Sequence, residues 1–142
     1  MRSLVALLTT FVLVSCGTAP ATRDQSNPPN TNTSSSAAVE FLLTSAATDF
    51  HGHRPPYSVR FRNVRSGYLM TPDGTKQYTL CGEFLPAQDG GKAEWTPFVT
   101  IKTSGYEQWL GSQARSLCDR PSMTWDVGDL SSVLQSRLDA LR

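Results

Sequence analysis

The chain has 142 residues, enough for one domain, and its 13 Lys and Arg stand against 12 Asp and Glu. That balance provides no electrostatic footprint for a nucleic-acid backbone and no polybasic patch for a membrane surface, so nucleic acid is not expected as a partner. Of the three cysteines, Cys81 and Cys118 are spaced nothing like Cys-x-x-Cys, which argues against a thioredoxin-like redox centre and a zinc knuckle.

Met1-Arg2-Ser3 precedes an apolar run, residues 4–14, that ends in Leu13-Val14-Ser15-Cys16-Gly17. A basic start, an apolar core and small residues at its end make an export signal. The run is about half the roughly 20 apolar residues that a membrane-crossing helix needs. Its end resembles the lipobox of bacterial lipoproteins, Leu-(Ala/Ser/Thr/Val)-(Gly/Ala/Ser)-Cys. The resemblance implies cleavage before Cys16, which would carry acyl chains such as palmitate; the competing site after Ala19 or Ala21 would discard that cysteine. Gly17, where Asp would resemble an inner-membrane retention signal, implies the outer membrane, facing the periplasm. Residues 1–15 are thus expected to be signal peptide, and membrane attachment to come from lipid.

Residues 16–38 contain the lipid-bearing cysteine and then no Leu, Ile, Val, Phe or Tyr. Such a stretch buries too little apolar surface to offset its ordering entropy and is expected to be a disordered tether. From residue 39 the pattern becomes that of a folded domain, 39–142. Val39, Leu42, Leu43, Ala46, Ala47 and Phe50 form one helical stripe, with Ser36 as its candidate N-cap. Val59 and Phe61 alternate with Arg60 and Arg62 as in a strand with one wet face, and the alternation slips at Asn63-Val64, predicting a bulge. Thr71-Pro-Asp-Gly-Thr75 is a turn. A second strand spans 76–85, with Tyr78, Leu80, Gly82 and Phe84 on one face and Cys81 and Glu83 on the other. A third covers about 94–103, where Pro97 suggests an edge or a bulge. A helix is expected over 106–117, and a last one from Asp129, with Leu130, Val133, Leu134, Leu138 and Leu141 facing the core.

The predicted fold class is α+β. It is a small two-layer domain, a three-stranded antiparallel meander with an N-terminal helix and two C-terminal helices on one sheet face. In an exported protein Cys81 and Cys118 are expected to pair as a disulfide, the alternative being two separate buried thiols.

Within 54–103 stand Pro56-Tyr57-Ser58-Val59-Arg60-Phe61-Arg62-Asn63-Val64, then Cys81-Gly82-Glu83, Gly90-Gly91 and Pro97-Phe98. These blocks resemble a group of small exported bacterial proteins, often lipoproteins, of unknown function. The resemblance covers about a third of the chain and implies a similar fold without bringing an activity. Many such proteins carry Asn-x-x-Asn where Leu85-Pro86-Ala87-Gln88 stands here.

Arg60, Arg62 and Arg65 line the first strand and could grip an anionic group, with Arg120 and Lys102 joining them. Against this stands a plain exposed sheet face with Glu83 as partner. Tyr106 and Trp109 are the candidate aromatic contact pair on a short helix; of Trp95, Trp109 and Trp125, at least two are expected in the core. Asp49-x-His51-x-His53 contains both histidines and is the weak candidate for a metal, against a solvated loop. Glu83 and Glu94 are a formal carboxylate pair whose spacing selects nothing. No nucleophile–base motif or phosphate-binding glycine loop occurs, so no enzyme and no cofactor are expected. The favoured expectation is a tethered, non-enzymatic domain of an envelope lipoprotein that binds another envelope component, a protein. The others are a periplasmic inhibitor or protective factor acting through loop 87–93, and a hydrolase or metal protein.

Overall fold

The computed structural model describes residues 31–53, 58–86 and 93–142. The signal segment, Cys16 and most of the tether lie outside the described residues, as does most of loop 87–93. The elements are α1 (Thr31–His53), β1 (Val59–Met70), β2 (Lys76–Pro86), β3 (Thr96–Lys102), β4 (Tyr106–Leu110), α2 (Ser112–Cys118), β5 (Thr124–Trp125) and α3 (Ser131–Asp139). They form one antiparallel sheet of order β4-β3-β2-β1-β5 with three helices. The α+β class holds. No described helix is long and apolar enough to cross a membrane.

Two apolar clusters lie on opposite sides of the sheet. Leu80 and Phe98 belong to one, with Leu42, Leu43, Ala46, Ala47 and Phe50 of α1 and Leu134 and Leu138 of α3. Their sequence neighbours Cys81 and Val99 belong to the other, with Ala114 and Leu117 of α2 and Met123. Successive strand residues point to opposite faces, so β2 and β3 are buried on both. The two-layer expectation is corrected: helices cover both faces, α1 and α3 on one and α2 on the other. Phe50 centres the first cluster, with the rings of Phe61, Phe84 and Phe98 at 5.0, 5.0 and 5.2 Å.

The α1 stripe is as expected, but the helix begins at Thr31, inside the predicted tether and upstream of the predicted cap Ser36. Ala38 is buried, so the packed face reaches back past residue 39. Once a helix is nucleated on a core, each added residue fixes only its own backbone, and polar Thr31 to Ser36 can extend it.

The expected helix over 106–117 is replaced by β4 and α2. Tyr106 to Leu110 pair with Lys102 to Phe98, and Gly111, at φ 65°, turns the chain into α2. Aromatic side chains favour the pleated surface, and glycine takes a positive φ without Cβ strain. β3 is therefore internal. The Pro97 carbonyl accepts from the Gly111 N–H at 2.8 Å, so its ring nitrogen faces the same side, where the β3–β4 ladder ends. No hydrogen bond to β2 is lost. Of the leucines and valine expected on the last helix's core face, Leu134 and Leu138 of α3 are buried and Leu130, just before it, is partly so, whereas Val133 and Leu141 are exposed, contrary to expectation. Asp129 Oδ1 accepts from the Ser131 N–H at 2.7 Å.

The bulge stands where the alternation slips. Arg60, Arg62 and Arg65 oppose Leu85, Glu83 and Cys81, so one extra residue sits between Arg62 and Arg65. Asn63 takes φ 55°, a region that asparagine tolerates better than most residues. Along the outer edge of β1 the returning chain satisfies the backbone. Asp126 N–H donates to Ser66 O, and Leu130 N–H to Val64 O at 2.7 Å. Val64 N–H donates to Ser131 Oγ at 3.1 Å, and Gln135 Nε2 to Val59 O at 3.1 Å. Arg137 of α3 bonds Thr44 and Glu40 of α1.

Cys81 and Cys118 form a disulfide across 37 residues, with Cα atoms 6.1 Å apart. The chain-entropy estimate for such a loop is about 4 kcal/mol. The unreduced, unfolded domain is expected to show no thiol from this pair, and reduction to lower unfolding stability by several kcal/mol; thiol titration and urea melts check this. At Gly67 an added Cβ would lie 2.6 Å from the Thr124 backbone oxygen, which cannot rotate away. Gly67→Ala should cost about 1–3 kcal/mol by forcing β5 off β1, read as a lowered urea midpoint at unchanged slope.

Candidate functional site

The bulge determines which side chains meet on the α2 face of the sheet. With strict alternation Arg65 would face away from Arg60 and Arg62; the extra residue returns it to their side. Arg65 then lies opposite Cys81, beside the disulfide that fastens α2. Around this point is a groove of about 540 Å³. Gly82 and the Cys81–Cys118 bridge contribute to its lining, Arg65 and Trp125 come from β1 and β5, and Arg115, Asp119 and Arg120 from α2 and the residues just after it. Asn63, Glu83 and Pro97 complete the lining.

The charged groups fall into two sets. Glu83 accepts from Arg62 Nε at 2.8 Å and from Asn63 Nδ2 at 3.1 Å. The Arg62 hydrogen bond, helped by Asn63 and the Arg62 and Arg115 charges, holds the Glu83 carboxyl below the usual carboxylate range against the opposing effect of burial. Arg62 also lies over the Trp95 ring at 4.2 Å. The second set is Arg65, Arg115 and Arg120, exposed guanidinium groups that make no ion pair among the described residues. Arg65 rests over the Trp125 ring at 4.5 Å, which orients its guanidinium while leaving N–H groups at its edge for an acceptor.

The other sequence candidates disperse. Arg60 is exposed opposite Leu85 and does not line the groove. Lys102 Nζ lies 4.5 Å over the Phe41 ring, on the α1 side. Tyr106 and Trp109 are in a strand, not a helix, and point to opposite faces. Tyr106 Oη donates to Asp49 Oδ1 at 3.2 Å; burial first, then Asp49, raise its pKa. Trp109 is exposed opposite Val99. The tryptophan expectation is corrected too: none of Trp95, Trp109 and Trp125 is buried. Two of them serve as platforms for arginines.

His51 and His53 are in the last turn of α1, and residues two apart on a helix do not face each other. His53 Nδ1 is 3.5 Å from Asp49 Oδ1, and no cluster of three metal-ligating side chains occurs among the described residues. The metal candidate therefore finds no convergent donor set there. Glu94 does not line the groove that holds Glu83.

Arg115 and Asp119 escaped the sequence reading, although a usable signal existed. Cys118 has Arg115 three residues before it and Arg120 two after, so pairing with Cys81 brings both towards the strand that carries Glu83 and towards Arg65. The sequence matches no protein-family model, and no curated protein or solved structure is significantly similar to it.

Because the Glu83 pKa is lowered on folding, its ionised form stabilises the native state. That contribution is fully present above the ordinary glutamate pKa of about 4.3 and is lost as pH falls through the lower folded value. Arg62→Ala should raise the Glu83 pKa towards its ordinary value, read by NMR titration of the side-chain carboxyl.

Proposed function

We propose that this chain is a lipid-anchored protein of the bacterial envelope whose domain binds another envelope component, a protein, rather than catalysing a reaction. The observation that carries the reading is the gathering of three guanidinium groups around one concavity beside the disulfide. A cavity of this size with a few convergent polar groups is the usual form of a binding site, and exposed guanidinium groups recognise carboxylates and phosphates by paired hydrogen bonds. The attachment rests on Leu13-Val14-Ser15-Cys16 behind its apolar run. Two or more acyl chains on Cys16 would anchor the chain stably without any spanning helix. The disulfide suits an oxidising compartment outside the cytoplasm.

The test uses the full-length protein expressed in a bacterium with labelled palmitate. Label and membrane association should both be present with Cys16 and both be lost in Cys16→Ser. In-cell crosslinking, affinity capture and mass spectrometry should then enrich one envelope protein with the anchored form and not with Cys16→Ser. Palmitate incorporation that is unchanged in Cys16→Ser would overturn the anchoring part of the reading. An anchored protein with no enriched partner would overturn the binding part.

A further inference from the structure

The arginine groove points beyond binding in general to a particular ligand chemistry. It contains three guanidinium groups, Arg65, Arg115 and Arg120, and one of its two carboxylates, Glu83, is already satisfied by Arg62 and Asn63. The second carboxylate, Asp119, also lines the groove and makes no ion pair among the described residues. Such a lining offers cationic donors and also an acceptor. A bare phosphate fills the donors but sets its own anionic oxygens against the acceptor, with at most a P–OH to offer it. A peptide with an acidic side chain supplies both, a carboxylate for the guanidinium forks and main-chain N–H groups for Asp119.

The rest of the surface agrees. Basic and acidic residues are nearly equal in number, so no broad field draws in a polyanion, and the attraction is local to the groove. Pro97, the disulfide and the Trp125 ring give apolar wall for the methylene groups of an acidic side chain. The groove, at about 540 Å³, lies within the usual range for small-ligand sites and exceeds what a single carboxylate fills.

We infer that the groove bounded by Arg65, Arg115, Asp119 and Arg120 is a recognition site for an acidic peptide segment. This rests on the reading of the domain as a protein-binding module and names the chemistry its partner must present. Arg65 on its Trp125 platform and Arg115 and Arg120 on either side of Cys118 grip the carboxylates. Asp119 accepts from the peptide main chain and rejects ligands that carry only anionic oxygens.

The experiment titrates full-length protein in detergent micelles, followed by NMR through the arginine Nε–H signals. The probes are acetyl-Gly-Glu-Gly-Asp-Gly-amide, its Gln/Asn twin, inorganic phosphate and glucuronate, all at matched ionic strength. The acidic peptide should shift the Arg65, Arg115 and Arg120 signals saturably and bind at least tenfold tighter than each of the other probes. Arg115→Gln with Arg120→Gln should weaken it tenfold or more. Arg60→Gln, which removes a positive charge from the same sheet face outside the groove, should leave it unchanged. Spectra of the variants before titration confirm that the fold and the disulfide are intact. No saturable shift, equal weakening by Arg60→Gln, or tighter binding of phosphate or glucuronate would each overturn the inference.

Crosslinking in cells separates this inference from the broader reading. A partner captured equally by wild type and by the Arg115→Gln, Arg120→Gln protein overturns the groove assignment and leaves the binding module standing. Specific peptide binding in the micelles without a captured partner overturns the envelope-protein partner and leaves the ligand chemistry of the groove standing.

Discussion

The main chain of Val64 is the point on which the structure turns. Its N–H donates to Ser131 Oγ and its carbonyl accepts from the Leu130 N–H, so a bulge that breaks the β1–β2 ladder leaves neither group unpaired. Both partners come from the start of α3, more than sixty residues along the chain. The extra residue at Asn63 turns Val64 inward, where it is fully buried with Leu80 and Phe98, and returns Arg65 to the face of Arg62. One irregularity thus completes the core on one side of the sheet and places a cation on the other.

The second constraint is the Cys81–Cys118 bridge. α2 has only seven residues and buries Ala114 and Leu117, a small apolar contribution for a helix that must cover β3 and β4. The covalent link holds it there and makes room beside it. Charge follows the same economy. Glu83 is committed to Arg62 and Asn63, and Arg65 to the face of Trp125, so each is oriented before any ligand arrives. Pre-orientation of this kind reduces the ordering cost of binding.

Much of this was legible in the sequence. Period-two alternation showed β1, its interruption showed the bulge, and Thr71-Pro-Asp-Gly-Thr75 showed the turn, where the Gly74 N–H donates to Thr71 O and Asp73 bonds both threonines. The apolar stripe showed α1. What failed was short or non-local. Tyr106 to Leu110 is five residues, too few for period two to stand out from a helical pattern, and Gly111 was the overlooked stop. Two-residue β5 has no sequence signature at all; it exists because Gly67 lacks a side chain where Thr124 passes. Phe98-Val-Thr-Ile101 is a continuous buried run, the mark of a strand covered on both sides. Pro97 pointed to an edge or a bulge instead, and Thr100 lies buried with its hydroxyl donating to Gln108 Oε1 at 2.8 Å. In the groove, the strand arginines could be read locally, but Arg115 and Asp119 meet them only through the disulfide.

The returning segment along β1 also dictates an order of events as the chain is made. The β1–β4 meander joins neighbours in sequence and can form early, whereas the bonds to Val59, Val64 and Ser66 come from 60 to 76 residues downstream. Until Thr124 to Gln135 have arrived, the outer edge of β1 is a row of open backbone groups beside an apolar core, a template for pairing with another chain. A chain cut short after α2 would keep four strands and both cysteines and still carry that edge. The stretch from Thr124 to Gln135 is therefore the seal that keeps the sheet from growing into its neighbours.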